Sequence, residues 1–221
     1  MALEVFWGSG SPFAWRVLLA LEVKRLPYES RLLQFSKGEH KAPAYLAMNP
    51  RGKVPVLRDG DYVLYESSAI LGYLDAKYPS PPLYGTTPEE RGTVLRLIAE
   101  TESYLQPPLM RTAQALFGTQ AKEKAADLRA AGGEIQRELT TIDGILARTP
   151  WLAGAELSAA DLVLFPLVQL LVRAAGKPEA AALDLGVLPL RERYPAIAAW
   201  VARVEALPGY ERTYPPHWRA S

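Results

Sequence analysis

The apolar positions change period once along the chain. Over the first 80 residues two periods alternate. Leu3-Glu4-Val5-Phe6-Trp7 reads as a short strand, ended by Gly8 and Gly10. Residues 12–25 read as a helix, with Ser11 as its N-cap and Pro12 at the first helical position, where a missing N–H costs nothing. Ala14 stands where a reciprocal capping box would need Glu or Gln. Residues 28–34 predict a second strand, and residues 40–48 a short helix closed by Asn49-Pro50. Val54-Pro55-Val56-Leu57 and Tyr62-Val63-Leu64-Tyr65 flank Asp59-Gly60-Asp61, a hairpin signal. Residues 66–78 predict a helix that ends before Pro79. The order β-α-β-α-β-β-α predicts a small α/β layer domain with a mixed sheet.

Residues 79–88 hold Pro79, Pro81, Pro82 and Pro88, the best linker in the chain. Beyond them the strand period disappears. Residues 89–117, 121–148, 158–176 and 194–207 carry apolar residues at helical spacing. Pro107-Pro108 should kink or interrupt the first of these. Residues 177–193 carry no clear pattern. The organisation expected is a domain over 1–79, a linker over 80–88 and an all-helical domain over 89–221.

Composition narrows the function. With 49% apolar and 22% charged residues, the chain has the make-up of a globular protein. The net charge of +1 gives no cationic field, so nucleic acid is not expected as a partner. Zero cysteine removes disulfides, thiolate metal sites and cysteine nucleophiles together. The run Val17–Leu21 is cut by Glu22 and Lys24, too short for a signal-peptide core. The later run from Leu162 to Val172 falls short of the ~20 apolar residues of a spanning helix. No membrane association and a cytoplasmic location are the expectation.

Three segments carry candidate chemistry. In Trp7-Gly8-Ser9-Gly10-Ser11-Pro12 a glycine turn leads into a capped helix. This sets Ser9 or Ser11 beside free N–H groups that favour an anion. The bland alternative is that Ser11 only caps its helix. In Asn49-Pro50-Arg51-Gly52-Lys53-Val54-Pro55, a proline at the start of a strand suggests an edge or a cis bond. The exposed Val54 backbone could then pair with an extended peptide-like ligand. An ordinary edge proline explains it equally. In Tyr65-Glu66-Ser67-Ser68, a helix start could take a ligand carboxylate while Glu66 meets an ammonium. The alternative is a plain cap with a favourable first-turn acid.

Together with Leu157-Ser158-Ala159-Ala160-Asp161 and Tyr194-Pro195-Ala196-Ile197 through Pro208, these segments make the chain resemble the cytosolic glutathione S-transferase family over essentially its whole length. The N-terminal Trp-Gly-Ser-Gly-Ser-Pro, Lys37-Gly38-Glu39-His40-Lys41 and Tyr214-Pro215-Pro216-His217-Trp218 look most like its rho class, with tau, theta and zeta next. The resemblance implies a thioredoxin-like N-terminal domain, an all-α C-terminal domain and a homodimer. It implies that Ser11 faces the glutathione sulfur, with Ser9 the competitor because the Gly-Ser-Gly-Ser repeat allows a shift of two. It makes Pro55 a cis proline and Val54 the partner of the cysteinyl backbone. Glu66 and Ser67 would hold the γ-glutamyl group, and His40, Lys41 and Lys53 the glycyl carboxylate. Pocket candidates for the electrophile are Phe13, Tyr104, Pro108, Arg111, Phe117, Tyr214 and Trp218. Ser158 and Asp161 form a capping box and belong to folding.

The activity implied is conjugation of glutathione to small apolar electrophiles, a detoxification chemistry that needs no metal. A free thiol has a pKa of about 8.5, so only a minor fraction is ionised near neutrality. Ser11 is too weak a base to take the proton, but its O–H can donate to the thiolate. A hydrogen bond to a charged group is worth ~1.5–3 kcal/mol, which lowers the thiol pKa by roughly 1–2 units. Rival expectations are a glutathione-dependent isomerase of maleyl compounds, a glutathione peroxidase, and a non-catalytic binding module on the same fold.

Overall fold

A computed structural model describes residues 3–219. Its contacts divide the chain into two units. One comprises the chain up to Tyr84 together with the segment from Ala206 onward, and the other is Gly85–Glu205. The sequence boundaries assign everything after residue 88 to the helical domain, whereas contacts group the segment from Ala206 with the first unit.

The first unit is built on one four-stranded sheet of order β2-β1-β3-β4. β1 (Leu3–Trp7) lies parallel to β2 (Tyr28–Leu32) and antiparallel to β3 (Val56–Asp59), which pairs antiparallel with β4 (Tyr62–Tyr65). Leu3, Val5 and Trp7 are buried while Glu4 and Phe6 are half-buried, the alternation of a strand covered on one face. β3 begins two residues later than the apolar run, because Pro55 has no N–H to give the ladder. The hairpin closes through Gly60, at φ 62. α1 (Pro12–Val23) joins the parallel pair, and α3 (Ser67–Lys77) packs beside it. This βαβ unit followed by a hairpin and a helix is a thioredoxin-like arrangement. The helix expected over 40–48 is shorter. A 3-10 turn covers Glu39–Lys41, and α2 (Pro43–Met48) starts at Pro43, which pushes Ala42 into extended backbone.

α1 is buried almost all round, since α3 and the short C-terminal helix Tyr210–Thr213 also pack on it. Its last turn is fixed by a buried cation. Lys24 Nζ donates to Asp75 Oδ1 at 2.8 Å and to the carbonyls of Tyr78 and Pro81, both at 2.7 Å. Three donors thus meet three acceptors. Asp75 also accepts the Leu83 N–H at 2.8 Å, so the start of the proline-rich stretch is bound to this unit.

The second unit is all-α. α4 (Pro88–Glu100) opens with a capping box of Thr87 and Glu90. α5 (Gln106–Phe117) follows it through a π-helical turn, Thr101–Leu105. Pro107 and Pro108 lack the N–H groups that Ser103 and Tyr104 carbonyls would receive in an α-helix. The wider turn absorbs this just before the prolines, without a break. α6 (Ala125–Leu146), α7 (Ala159–Ala175), the one-turn α8 (Leu190–Arg193) and α9 (Pro195–Glu205) complete the unit. α5 packs on α6 and α7, and α6 on α9. α7 carries the core, with Leu162, Val163, Leu164, Phe165 and Leu167 fully buried. Each such large apolar side chain adds ~1.5–3 kcal/mol. Among the described residues no helix is long and apolar enough to cross a membrane.

Candidate active site

The turn after β1 sets both candidate serines. Ser11 has extended backbone, φ −74 and ψ 116, and its Oγ accepts the Ala14 N–H at 3.3 Å. Acting as acceptor in the cap, the hydroxyl keeps its proton available for an incoming acceptor. Ser11 thus caps α1 and can donate at the same time, so the two readings of this residue are compatible. Ser9 differs, because its Oγ lies 2.6 Å from Nδ1 of His217. The end of the exposed Phe35 ring occupies the place a Cβ would take at Gly8, so a side chain there would have to turn that ring aside. Phe35 in turn meets the His40 ring edge-on at 4.8 Å.

The segment before β3 is held from behind. Tyr45 Oη and Asn49 Nδ2 donate to the Lys53 carbonyl at 2.6 and 2.8 Å, and the Arg51 N–H donates to Asn49 Oδ1 at 3.1 Å. Burial pushes the Tyr45 phenol well above its ordinary range, so it stays a donor. The Val54–Pro55 bond is cis. Val54 is half-buried, and its backbone makes no hydrogen bond among the described residues. Gly52, at φ 57, lies where a Cβ would meet Lys41 Nζ at 2.8 Å and the His40 carbonyl at 2.9 Å. The Lys41 ammonium and the His40 backbone thus pack against the loop that carries Lys53. His40 Nδ1 is buried without a hydrogen-bond partner among the described residues.

At the start of α3, Glu66 is a non-glycine residue at φ 70 and ψ 112, outside the ordinary basins. Such a conformation costs of order 1–3 kcal/mol and concentrates at ligand sites. It leaves Glu66 exposed and opens the first N–H groups of α3 beside buried Ser67. Ser67 Oγ accepts from Arg16 Nη1 at 3.3 Å. Arg16 is fully buried, so one α1 side chain ties the start of α3 to the helix that Ser11 begins. Its guanidinium carbon lies 5.2 Å from the Phe13 ring centre.

The electrophile candidates fall into separate groups. In the helical unit Tyr104, Pro108 and Arg111 line one depression of about 320 Å³, together with Ser103, Pro107, Glu134, Arg137 and Glu138. Arg111 is exposed and lies 3.5 Å from Glu134. Phe117 stands outside it, under the Lys177 ammonium at 5.4 Å. In the first unit Tyr214 and Trp218 lie edge-to-face on Trp15, at 5.8 and 5.5 Å.

Tyr45, Asn49 and His217 contact the candidate segments although none is a predicted site residue. Asn49 and Tyr45 stand four apart, one turn of a helix, and that spacing with two polar ends was the available signal. His217 lies in the Tyr214–Trp218 motif, but its pairing with Ser9, 208 positions away, leaves no local trace.

A thioredoxin-like first unit followed by an all-α unit defines the class: a two-domain protein of glutathione-transferase architecture. Sequence profiles described as Glutathione S-transferase, N-terminal domain and Glutathione S-transferase, C-terminal domain match residues 9–82 and 105–208. Glutathione S-transferase A of Pleuronectes platessa is 31% identical over 228 residues, covering 99% of this chain and 94% of its own. Glutathione S-transferase theta-2 of Homo sapiens is 33% identical over 225 residues, covering 98% of this chain and 86% of its own. The crystal structure of a glutathione S-transferase from the Antarctic clam Laternula elliptica superposes with a TM-score of 0.84 at 33% identity, over 100% of this chain and 95% of that one. The chain belongs to the glutathione S-transferase family.

Proposed function

We propose that this protein binds glutathione on its first unit and activates it as a thiolate for attack on small apolar electrophiles. The observation that carries the reading is Ser11. Its Oγ caps α1 as an acceptor at 3.3 Å, which leaves the O–H to donate to a sulfur at a helix N-terminus. The hydrogen bond and the helix dipole both favour the anion. The unpaired Val54 backbone supplies an edge for the cysteinyl unit. The first N–H groups of α3, with Ser67 and Glu66, suit the γ-glutamyl carboxylate and amine. His40, Lys41 and Lys53, around Gly52, suit the glycyl carboxylate.

In this mechanism the thiol proton leaves to solvent, Ser11 holds the thiolate, and the sulfur lone pair forms the new bond to the electrophile. Its leaving group, where there is one, departs with the electron pair. Tyr104, Pro108 and Arg111, in the depression they share with Glu134, Arg137 and Glu138, are the groups of the helical unit that would meet a polar substituent of the electrophile. The serine-type, rho-like assignment rests on the motifs around Ser11, His40 and His217, and a homodimer and a cytoplasmic location belong to the same proposal.

A panel of an aryl halide, a maleyl acid and a hydroperoxide, each with glutathione, tests it. Turnover of the aryl halide alone or foremost supports conjugation. Preference for the maleyl acid or the hydroperoxide replaces it with isomerase or peroxidase activity. Binding of glutathione with no turnover and no depressed thiol pKa makes the chain a binding module. Sedimentation showing a monomer at micromolar concentration overturns the dimer.

A further inference from the structure

The C-terminal segment is keyed to the turn that leads into Ser11. α10 (Tyr210–Thr213) and the 3-10 turn Pro216–Trp218 belong to the same unit as α1. Trp15 donates its indole N–H to Thr213 Oγ1 at 2.8 Å, and Thr213 passes its own hydroxyl to the Tyr210 carbonyl at 2.7 Å. With Tyr214 and Trp218 edge-on to the Trp15 ring, the segment has a defined register on the helix. That register brings His217 to the turn. Its Nδ1 is 2.6 Å from Ser9 Oγ. Gly10, at φ 80, is where a Cβ would meet His217 Cε1 at 2.7 Å and Trp218 Nε1 at 3.3 Å.

A turn with two glycines around one serine is loose by itself, because glycine has the largest backbone freedom to lose. The hydroxyl that follows must nevertheless be held within about 0.5 Å to act on a bound atom. The structure closes the turn from two sides. The Phe35 ring fills the space at Gly8, and His217 with Trp218 fills the space at Gly10. Ser9 is the one side chain between the glycines, and its Oγ is fixed by the imidazole. This pair is solvent-exposed, so its net contribution to global stability is small. Its effect falls on the geometry of the turn.

We propose that His217 is a positioning residue for the thiolate site: through Ser9 it holds the Gly8–Gly10 turn so that Ser11 and the first N–H groups of α1 face the glutathione sulfur. The inference rests on the Ser11 reading given above. It assigns the C-terminal segment a part in the reaction without placing it against the substrate.

The test uses the full chain with His217→Ala, His217→Asn and, as a control in the same segment, Arg219→Ala. Three quantities are read: thiolate absorbance of bound glutathione against pH, kcat and KM for glutathione, and Tm. His217→Ala should raise the bound-thiol pKa and lower kcat about 3- to 10-fold, the span of one lost hydrogen bond. KM should stay within about twofold and Tm within ~2–4 °C, the shift expected for 1 kcal/mol in a chain of this size. His217→Asn, whose amide can replace Nδ1, should recover most of kcat, and Arg219→Ala should match wild type. Unchanged thiol pKa and kcat in His217→Ala, beside a depressed thiol pKa in wild type, overturn the inference. A large loss of Tm that Asn does not rescue also overturns it, because the segment then acts by packing alone. A wild-type protein with no depressed thiol pKa sinks the Ser11 reading itself and the inference with it.

Discussion

Asp161 Oδ1 accepts the indole N–H of Trp200 at 2.9 Å, joining the first turn of α7 to α9. The same carboxylate accepts the Leu152 N–H at 3.0 Å and both the N–H and hydroxyl of Ser158 at 2.9 Å. Both residues are fully buried. Burial pushes the Asp161 carboxyl above its ordinary range, and the four donors oppose that push. Asp161→Ala leaves four buried donors without an acceptor, so it should cost about 3–5 kcal/mol. Denaturant unfolding measures it, and a loss below ~1 kcal/mol would show that the network is replaceable.

Ser11 and Ser9 are separated by the roles their oxygens already play. On the proposed mechanism Ser11→Ala removes the donor to sulfur, so kcat should fall 10-fold or more, about 1.4 kcal/mol, with glutathione binding largely kept. Ser9→Ala keeps Ser11 and should cost less, of the size set out for His217. If the ranking is reversed in steady-state kinetics, Ser9 is the thiolate donor.

Ser67 should behave differently from either. It lies at the α3 N-terminus and accepts from buried Arg16 at 3.3 Å, and in the proposed mechanism its contact to glutathione is the same before and during the reaction. Ser67→Ala should raise KM for glutathione about 3- to 10-fold and leave kcat nearly unchanged, the signature of uniform binding. A kcat loss at constant KM would place Ser67 in the chemical step.

Local chemistry was legible and distant chemistry was not. Ser11-Pro12 marks the start of α1 because a cap and a donor-free first position act within one turn. Asp59-Gly60-Asp61 marks the hairpin because Gly60 must take a positive φ. Pro107-Pro108 announces an interruption but not its form, since a kink and a π turn answer the same missing donors. Of the site, Ser11, Pro55 and Ser67 carry motif-scale signals. The Arg16 link to Ser67 spans 51 positions and the Ser9–His217 pair 208, and such pairings follow from chain packing that no local pattern encodes.

Glu4 gives a pH-dependent prediction. Its carboxylate accepts from Arg58 at 2.6 Å and from Arg31 at 3.2 Å, and the Arg58 hydrogen bond foremost holds its pKa below the ordinary range. A depressed acid stabilises the fold above its unfolded pKa of about 4.3, and that contribution is lost as pH falls through the folded value. Both arginines are exposed and screened, so the contribution stays within ~1 kcal/mol. Glu4→Gln should be less stable than wild type at neutral pH, and the difference should vanish at strongly acid pH and shrink in high salt. A difference independent of pH would remove electrostatics as its cause.

Lys24 tests the junction between α1 and the proline-rich stretch. Its side chain is fully buried and its ammonium meets Asp75, the Tyr78 carbonyl and the Pro81 carbonyl. Lys24→Met keeps most of the volume but strips three acceptors of their donor and leaves Asp75 as a carboxylate only 11% exposed, without its counter-ion. Breaking a buried pair in this way costs about 3 kcal/mol or more. Part of the effect should be local, because Asp75 also accepts the Leu83 N–H at 2.8 Å, and a carboxylate that turns to water releases that amide. Hydrogen exchange should therefore show Leu83 losing protection in Lys24→Met beyond the drop shared by the β1–β3 ladder. Lys24→Met, Asp75→Asn double substitution, which removes both charges, should recover part of the stability. Unchanged Leu83 exchange, or no recovery in the double variant, would show that the pair does not hold the stretch to the first unit.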